Sequence, residues 1–367
     1  MASLPLRVLV VDDTRLYRDL ISATLNSIAG VEVVGTAANG EIALARLAEL
    51  NPDLLTLDVE MPVMDGLTTL RKIREFNSSA LVVMVSAHTR QGATVTLEAL
   101  RLGAYDFITK PEENTPAQGR KLLENKLRLL VNAILTQRLL RQAISAIESR
   151  PPSPPVGEAP AFRAGPPPER REEPPPARPA IVAIGISTGG PNALSELLPA
   201  LPADLPVPVV IVQHMPKLFT SALAEALDAK CAIRVVEAQD GQRLAPGVAY
   251  LAQGGRQMRV EPGPAGGPPV VRITDDPPEN HCQPSADYLF RSLAALFKGR
   301  VLAVIMTGMG CDGTLGLRLM KRQGAQVIAQ DQATSVVYGM PQEAVKAGVV
   351  DVVLPLSGIA PEILRRL

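Results

Sequence analysis

Tryptophan is absent from the 367 residues, and aromatic residues make up only 3% of them. That scarcity argues against a stacking platform for single-stranded nucleic acid, where successive bases lie on aromatic faces. A surplus of charge is missing too, since 37 Lys and Arg balance 37 Asp and Glu. No global field therefore draws the chain to nucleic acid or anionic lipid. Cysteine is sparse: Cys231, Cys282 and Cys311 are scattered, with no C-x-x-C pair, which reads as reduced thiols rather than a disulfide framework. The three histidines are dispersed and form no H-E-x-x-H pattern, so metal-dependent hydrolysis is not expected. No apolar run approaches the ~20 residues needed to cross a bilayer. Met1–Asp13 lacks the basic and apolar blocks of a secretory leader. The expectation is a cytoplasmic protein with no membrane insertion and no nucleic-acid partner.

What is present is enough apolar residue, 46%, for well-packed cores, in a chain long enough for two domains. In the first part, apolar runs at Val8–Val11, Val31–Gly35, Leu54–Leu57, Leu81–Val85 and Tyr105–Ile108 alternate with helically spaced segments such as Leu16, Leu20, Ile21, Leu25 and Ile28. Short buried strands alternating with helices predict a doubly wound parallel α/β sheet. Ligands of such sheets bind beyond the carboxyl ends of the strands. Those ends carry Asp12-Asp13, Asp58, Ser86 and Lys110-Pro111. Carboxylates converging on one rim repel unless a cation joins them, and oxygen-only ligation suits Mg²⁺. His88, just past Ser86, reads as an exposed loop residue.

This segment resembles a response-regulator receiver domain, with a flavodoxin-like sheet, over about 115 residues. The match rests on Asp12-Asp13, on Asp58 within Leu57-Asp-Val-Glu-Met-Pro62, and on Asp65-Gly66, Ser86-Ala87 and Lys110-Pro111. The resemblance implies that Asp58 accepts a phosphoryl group from a histidine kinase. It implies that Asp12, Asp13, Asp58 and the Glu60 carbonyl hold Mg²⁺, and that Ser86 and Lys110 contact the phosphoryl oxygens. Phe107 occupies the position of the aromatic switch residue. The chemistry agrees: a carboxylate attacks phosphorus while Mg²⁺ and lysine neutralise charge.

From Thr115 to about Glu148 a three-four spacing of Leu and Ile predicts a long helix, the last of the receiver continued into a connector. Residues 151–179 contain twelve prolines among Ala, Gly, Arg and Glu, too poor in apolar residues for a core. A semi-extended, disordered linker is expected there. The expected organisation is thus a receiver over residues 1–120, connector and linker over 121–179, and a second domain over 180–367.

That second domain again alternates, with strands expected at Ile181–Ile184, Val207–Val212, Val301–Met306, Ala325–Ala329 and Asp351–Leu354. Gly247–Ala252 and Gln257–Glu261 read as a β-hairpin turning at Gly254-Gly255. A second, Rossmann-like doubly wound sheet with a hairpin excursion follows. Its first strand runs into Gly185-Ile-Ser-Thr-Gly189, and Pro191 opens a helix. G-x-S-x-G at a strand-to-helix turn fits a nucleophile elbow, and equally a plain tight turn or a phosphate-binding loop. The next strand ends at His214, and Val301–Met306 leads to Asp312 through Thr307-Gly-Met-Gly-Cys-Asp-Gly313. Ser187, His214 and Asp312 on one rim form a set that removes a hydroxyl proton, orients the imidazole and stabilises its cation. Glycines near Asp312 leave the Met309 and Gly310 N–H groups free for an oxyanion hole. Alone, Asp312 could be only a helix cap and His214 a strand cap. His281, in a proline-rich loop, fits a substrate-loop residue better than the base. Asp331 and Asp351 are poorer partners for the histidine.

Residues 180–367 resemble the catalytic domain of the chemotaxis protein-glutamate methylesterases, the CheB family. The motifs are Gly185-x-Ser-Thr-Gly-Gly190, Gln213-His-Met-Pro216, His281-x-x-Pro-Ser285, Thr307-Gly-Met-Gly-x-Asp-Gly313 and Tyr338-Gly-Met-Pro341. The resemblance implies hydrolysis of glutamate γ-methyl esters on chemoreceptors, often with deamidation of receptor glutamines, and release of autoinhibition by phosphorylation of Asp58. It gives catalytic parts to Ser187, His214 and Asp312, with Met309 and Thr188 assisting, and calls for no cofactor in the esterase site. A serine hydrolase or phospho-switch regulator acting on some other protein is the competing expectation.

Overall fold

Two parallel sheets carry the chain in the computed structural model, which describes residues 4–76, 78–87, 89–110, 116–148 and 177–367. The first has five strands in the order β2-β1-β3-β4-β5. They are β1 Leu6–Val11, β2 Val31–Ala37, β3 Leu54–Asp58, β4 Leu81–Ser86 and β5 Asp106–Thr109. Every neighbouring pair is parallel. The crossover helices are α1 Arg15–Asn26, α2 Gly40–Leu50, α3 Gly66–Glu75 and α4 Arg90–Arg101. Val8, Val10, Leu55, Leu57, Val83 and Val85 are fully buried, as a sheet covered on both faces requires. Asp65 caps α3 by accepting from Thr68 N, which fixes the loop that leaves Asp58.

α5 Pro116–Glu148 is one unbroken helix of 33 residues. Its Leu123, Leu127, Leu130, Val131 and Ile134 pack into the core formed by α1 and the first sheet. The helix therefore crosses residue 120 without a break and stays on the receiver for at least four more turns. The proline-rich stretch, apart from residues 177–179, and His88 lie outside the described residues.

The second sheet has seven strands, ordered β14-β13-β12-β6-β7-β9-β8 and all parallel. They are β6 Ile181–Ile186, β7 Val209–Gln213, β8 Arg234–Glu237, β9 Val248–Leu251, β12 Val301–Ile305, β13 Gln326–Gln330 and β14 Val352–Leu354. Helices α6 Gly190–Leu197, α7 Phe219–Asp228, α8 Ala286–Phe297, α9 Thr314–Arg322, α10 Met340–Lys346 and α11 Leu356–Arg366 flank it. The hairpin exists, but not where the sequence put it. β10 Gln257–Glu261 pairs antiparallel with β11 Val270–Thr274, and β9 lies in the main sheet beside β7. Ala249, Tyr250 and Leu251 are buried, which suits an interior parallel strand and not one arm of a hairpin. Gly254-Gly255 is a turn, with Arg256 N donating to Gln253 O, but it leads from the main sheet into β10 and closes no hairpin; a Cβ on Gly254 would sit 2.4 Å from the backbone carbon of Pro216, in the loop after His214.

The two sheets meet through α4, β5, α6 and α7. The Phe107 and Phe219 rings stack with centroids 4.8 Å apart and planes inclined by 10°. Arg101 Nη2 donates to Ala226 O at 3.0 Å, and Tyr105 Oη to Val336 O at 3.2 Å. Among the described residues no helix is long and apolar enough to cross a membrane.

Candidate active site

β6 ends at Ile186, and the chain turns sharply at Ser187-Thr-Gly189 into α6. Gly189 takes φ +74°, open to glycine at no steric cost. A side chain there would also strike Val336, and a Cβ on Gly190 would lie 1.8 Å from Gln213 Oε1. Gln213 locks the turn by donating from Nε2 to Ser187 O at 2.8 Å, while Ser187 N donates to Thr307 O at 2.9 Å. The strand ends of β6, β7 and β12 are thereby tied together. Gly308 completes the wall, because a Cβ there would come 2.7 Å from Ser187 Cβ. Thr188 stands beside Ser187, and its carbonyl accepts from Thr307 Oγ1 at 2.9 Å.

His214 follows β7 directly. Its Nε2 lies 2.8 Å from Asp312 Oδ2. Asp312 is buried, and both its oxygens are saturated. Oδ2 also accepts from Ala286 N at 2.6 Å. Oδ1 accepts from Ser285 Oγ at 2.7 Å, Asn280 Nδ2 at 3.1 Å and Asp287 N at 3.2 Å. The amino end of α8 thus points at a carboxylate, the favourable end of a helix for an anion. Burial alone would raise the Asp312 acid, but His214, Ser285 and the Ala286 N–H outweigh it and hold it below the usual carboxylate range. For His214, burial disfavours the cation, yet the hydrogen bonds to Asp312 and then Cys282 push it above the usual histidine range.

Ser187 Oγ makes no hydrogen bond within the described residues, so the serine-to-histidine link is not closed in this conformation. The second nitrogen of His214, Nδ1, instead has Cys282 Sγ at 3.7 Å. Met309 N likewise donates to no acceptor among the described residues, whereas Gly308 N is held by Val337 O. His281 is exposed, with φ +61°, and lies outside the pair. Asp331 accepts from Thr334 N, and Asp351 accepts from Val327 N and pairs with Lys321; both are structural. Ser285, Asn280 and the amino end of α8 are the parts that the residue pattern did not single out as supports of Asp312. The Pro284-Ser285-Ala-Asp signature of a capped helix was visible, but not what it caps.

The first sheet gathers its own group. Asp12, Asp13 and Asp58 offer carboxylate oxygens within 4.8 Å of one another. Asp12 and Asp58 are buried and Asp13 is exposed. Lys110 Nζ reaches Asp58 Oδ2 at 2.7 Å and Asp12 Oδ2 at 2.9 Å. Burial, only partly offset by Lys110, raises the Asp58 acid to about 6, and Asp12 is raised for the same reason. Ser86, fully buried, lies at the end of β4 with its hydroxyl directed to the Ala87 and Gly92 carbonyls. Glu60 lines the adjoining cleft of about 510 Å³ with Asp13, Met61 and Asp65. One ammonium against this set of acids leaves excess negative charge, and an all-oxygen donor set of this kind fits a hard divalent cation such as Mg²⁺.

Comparison with known proteins finds relatives over both domains. The CheB methylesterase family profile matches residues 182–363, and the response regulator receiver domain profile matches residues 8–118. The protein-glutamate methylesterase/protein-glutamine glutaminase of Desulfotalea psychrophila is 47% identical over 98% of this chain and 98% of its own length. The protein of the same name from Bacillus subtilis is 44% identical over 98% and 97%. The Thermotoga maritima CheB methylesterase catalytic domain superposes with a TM-score of 0.50 at 38% identity, covering 52% of this chain and 100% of that one. At this identity over nearly the full length, the chain belongs to the protein-glutamate methylesterase/protein-glutamine glutaminase family, with a receiver domain ahead of a CheB methylesterase domain.

Proposed function

We propose that the protein is a phosphorylation-controlled esterase and amidase that hydrolyses glutamate γ-methyl esters, and deamidates glutamines, on methyl-accepting chemoreceptors. Ser187 Oγ attacks the ester carbonyl and passes its proton to His214 Nδ1, the nitrogen left free by Asp312. Asp312 holds the Nε2 proton and stabilises the imidazolium. The Met309 N–H, without an internal acceptor, receives the oxyanion, and Thr188 assists from the same turn. His214 returns the proton as methanol leaves, or ammonia from a glutamine. Water then releases glutamate by the same steps in reverse order. The Ser187-to-His214 hydrogen bond forms as substrate settles; such bonds are often open without substrate.

The receiver is the control. Asp58 takes the phosphoryl group from a histidine kinase, with Ser86 and Lys110 on the phosphoryl oxygens. Asp12, Asp13, Asp58 and the Glu60 carbonyl would hold Mg²⁺, which neutralises phosphoryl charge when bound. We divide the chain into a receiver (1–120), a connector and linker (121–179) and a hydrolase (180–367), with the first turns of the connector being the part of α5 that packs on the receiver. The Phe107–Phe219 stack lies only five residues beyond His214 in sequence, and Tyr105 holds Val336, which packs on Gly189. A receiver docked at these points restrains both the base and the elbow. Phosphorylation shifts the population towards an undocked arrangement.

The observation that carries this reading is the buried Asp312–His214 pair beside the Ser187 elbow, in a chain that also holds the Asp12, Asp58 and Lys110 pocket. The test is methanol release from a methylated receptor fragment, with and without a phosphodonor. Release should rise with the donor and disappear in Ser187→Ala. Turnover retained in that variant rejects the nucleophile.

A further inference from the structure

Cys282 has no part in the mechanism above, yet its sulfur faces the working nitrogen of the base. Cys282 Sγ lies 3.7 Å from His214 Nδ1, the reach of a weak hydrogen bond to sulfur, and also 3.4 Å from Asn280 O. The 3.7 Å separation is equally the spacing of two ligands on one tetrahedral ion. With metal–nitrogen and metal–sulfur bonds of about 2.05 and 2.3 Å, the two atoms of such a pair stand about 3.6 Å apart. The other side of the imidazole is already arranged as metal sites require. Nε2 donates to Asp312 Oδ2, the carboxylate–histidine support that fixes a ligating ring and its tautomer. Asp312 itself, occupied by Ser285, Ala286, Asn280 and Asp287, orients the ring and does not ligate. His214 and Cys282 are both half-buried, so an ion can enter from solvent and complete its shell with water.

We propose that His214 Nδ1 and Cys282 Sγ form a binding site for a borderline-soft divalent metal, Zn²⁺ above all, and that its occupation inhibits the esterase. The inference rests on the reading of His214 as the base. Ligand chemistry separates this site from the receiver pocket: nitrogen and thiolate select zinc-like ions, whereas the three aspartates suit Mg²⁺. Binding replaces the thiol proton, which leaves to solvent, and puts the ion on the lone pair that must accept the Ser187 proton. Inhibition is then competitive with proton transfer and reversible by chelation.

The test uses the full chain, stripped of metal and then supplied with Mg²⁺. Co²⁺ is titrated in as an optical probe for zinc. A near-ultraviolet thiolate-to-cobalt band should grow, and Zn²⁺ should abolish it. Cys311→Ser should keep the band, while Cys282→Ser and Cys282→Ala should both lose it. Two replacements of Cys282 guard against a folding defect in either. Zn²⁺ inhibition, scaled to each variant's own metal-free rate, should weaken at least about tenfold without the thiolate ligand. No band, a band that survives both Cys282 replacements, or unchanged zinc sensitivity overturns the site. The optical readout needs no turnover, so a chain without methylesterase activity can still show the band. An active esterase without the band refutes this proposal alone.

Discussion

The two domains put buried carboxylates at the same place, beyond the carboxyl ends of parallel strands, and treat them in opposite ways. Around Asp312 the fold supplies donors on every side: an imidazole, a hydroxyl, an amide and the first N–H groups of α8. The anion is permanent, and its acid form is suppressed. Around Asp58 the fold supplies one lysine and further acids, and burial pushes the group up to about 6. One carboxylate is completed by the polypeptide. The other has Lys110 alone among its acids, and on the reading proposed above Mg²⁺ and a phosphoryl group complete it. A fixed partner for a catalytic base needs the first arrangement, and a site that must accept a cation and a phosphoryl group needs the second.

The harshest test of that contrast removes the charge from the completed site. Asp312→Asn keeps the shape but cannot stabilise the imidazolium, and kcat should fall by about 10³–10⁴-fold. The pH profile sharpens the point. A raised His214 pKa means the base gives up its proton late, so kcat/KM should climb with pH above the ordinary histidine range. In Asp312→Asn that limb should move to lower pH. A variant with the parent rate and profile would show that the carboxylate is idle.

The incomplete site should respond to metal instead. Asp58 and Asp12 have folded pKa values above their ordinary value of 3.8. The stability each confers is therefore complete below that value and is lost as pH rises through its folded pKa, about 6 for Asp58. Above pH 6 the pocket carries mutually repelling anions, and saturating Mg²⁺ at about 100 times its Kd should return about 2.7 kcal/mol. Thermal unfolding should show a gain of several degrees at pH 8 and little at pH 5. Asp58→Asn should reduce that gain and abolish phosphodonor stimulation. Equal metal effects at the two pH values would break the comparison.

The smallest effect lies where the domains touch. An aromatic stack contributes about 0.5–1.5 kcal/mol beyond its buried area. Phe107→Ala should raise the unstimulated rate by a few-fold, up to about tenfold. Phe219→Ala on top of it should add little, because the two rings report one contact. Strict additivity in the double variant would mean that the rings act separately.

Much of this was legible in the residues. Strands such as Ile181–Ile186 and Val301–Ile305 are apolar runs, interrupted only by Gly185, and doubly covered strands read that way. Ser187, His214 and Asp312 each follow such a run, so their convergence on one rim could be inferred from topology. The failures have physical causes. β8, Arg234–Glu237, is a short edge strand with charged ends and gives almost no periodic signal. Gly254-Gly255 imitates a hairpin turn, but Gly254 is small so that it can lie against the Pro216 backbone. The Asp312 cradle was invisible because its donors come from residues 280–287, far from Asp312 in sequence and brought there only by the seating of α8. The open Ser187 Oγ and the Cys282 contact are matters of side-chain placement, which no spacing encodes.

Arg178, just ahead of β6, hydrogen bonds through Nε to the carbonyl of Leu367, which follows α11. A domain whose two ends meet at one corner can be reopened elsewhere. A circular permutant joined at those ends and cut at the exposed 3-10 turn Pro264–Gly266, between β10 and β11, should keep the order of the second sheet, checked by circular dichroism and esterase rate. A folded permutant would show that the sheet order is held by packing and not by the connection through residues 264–267.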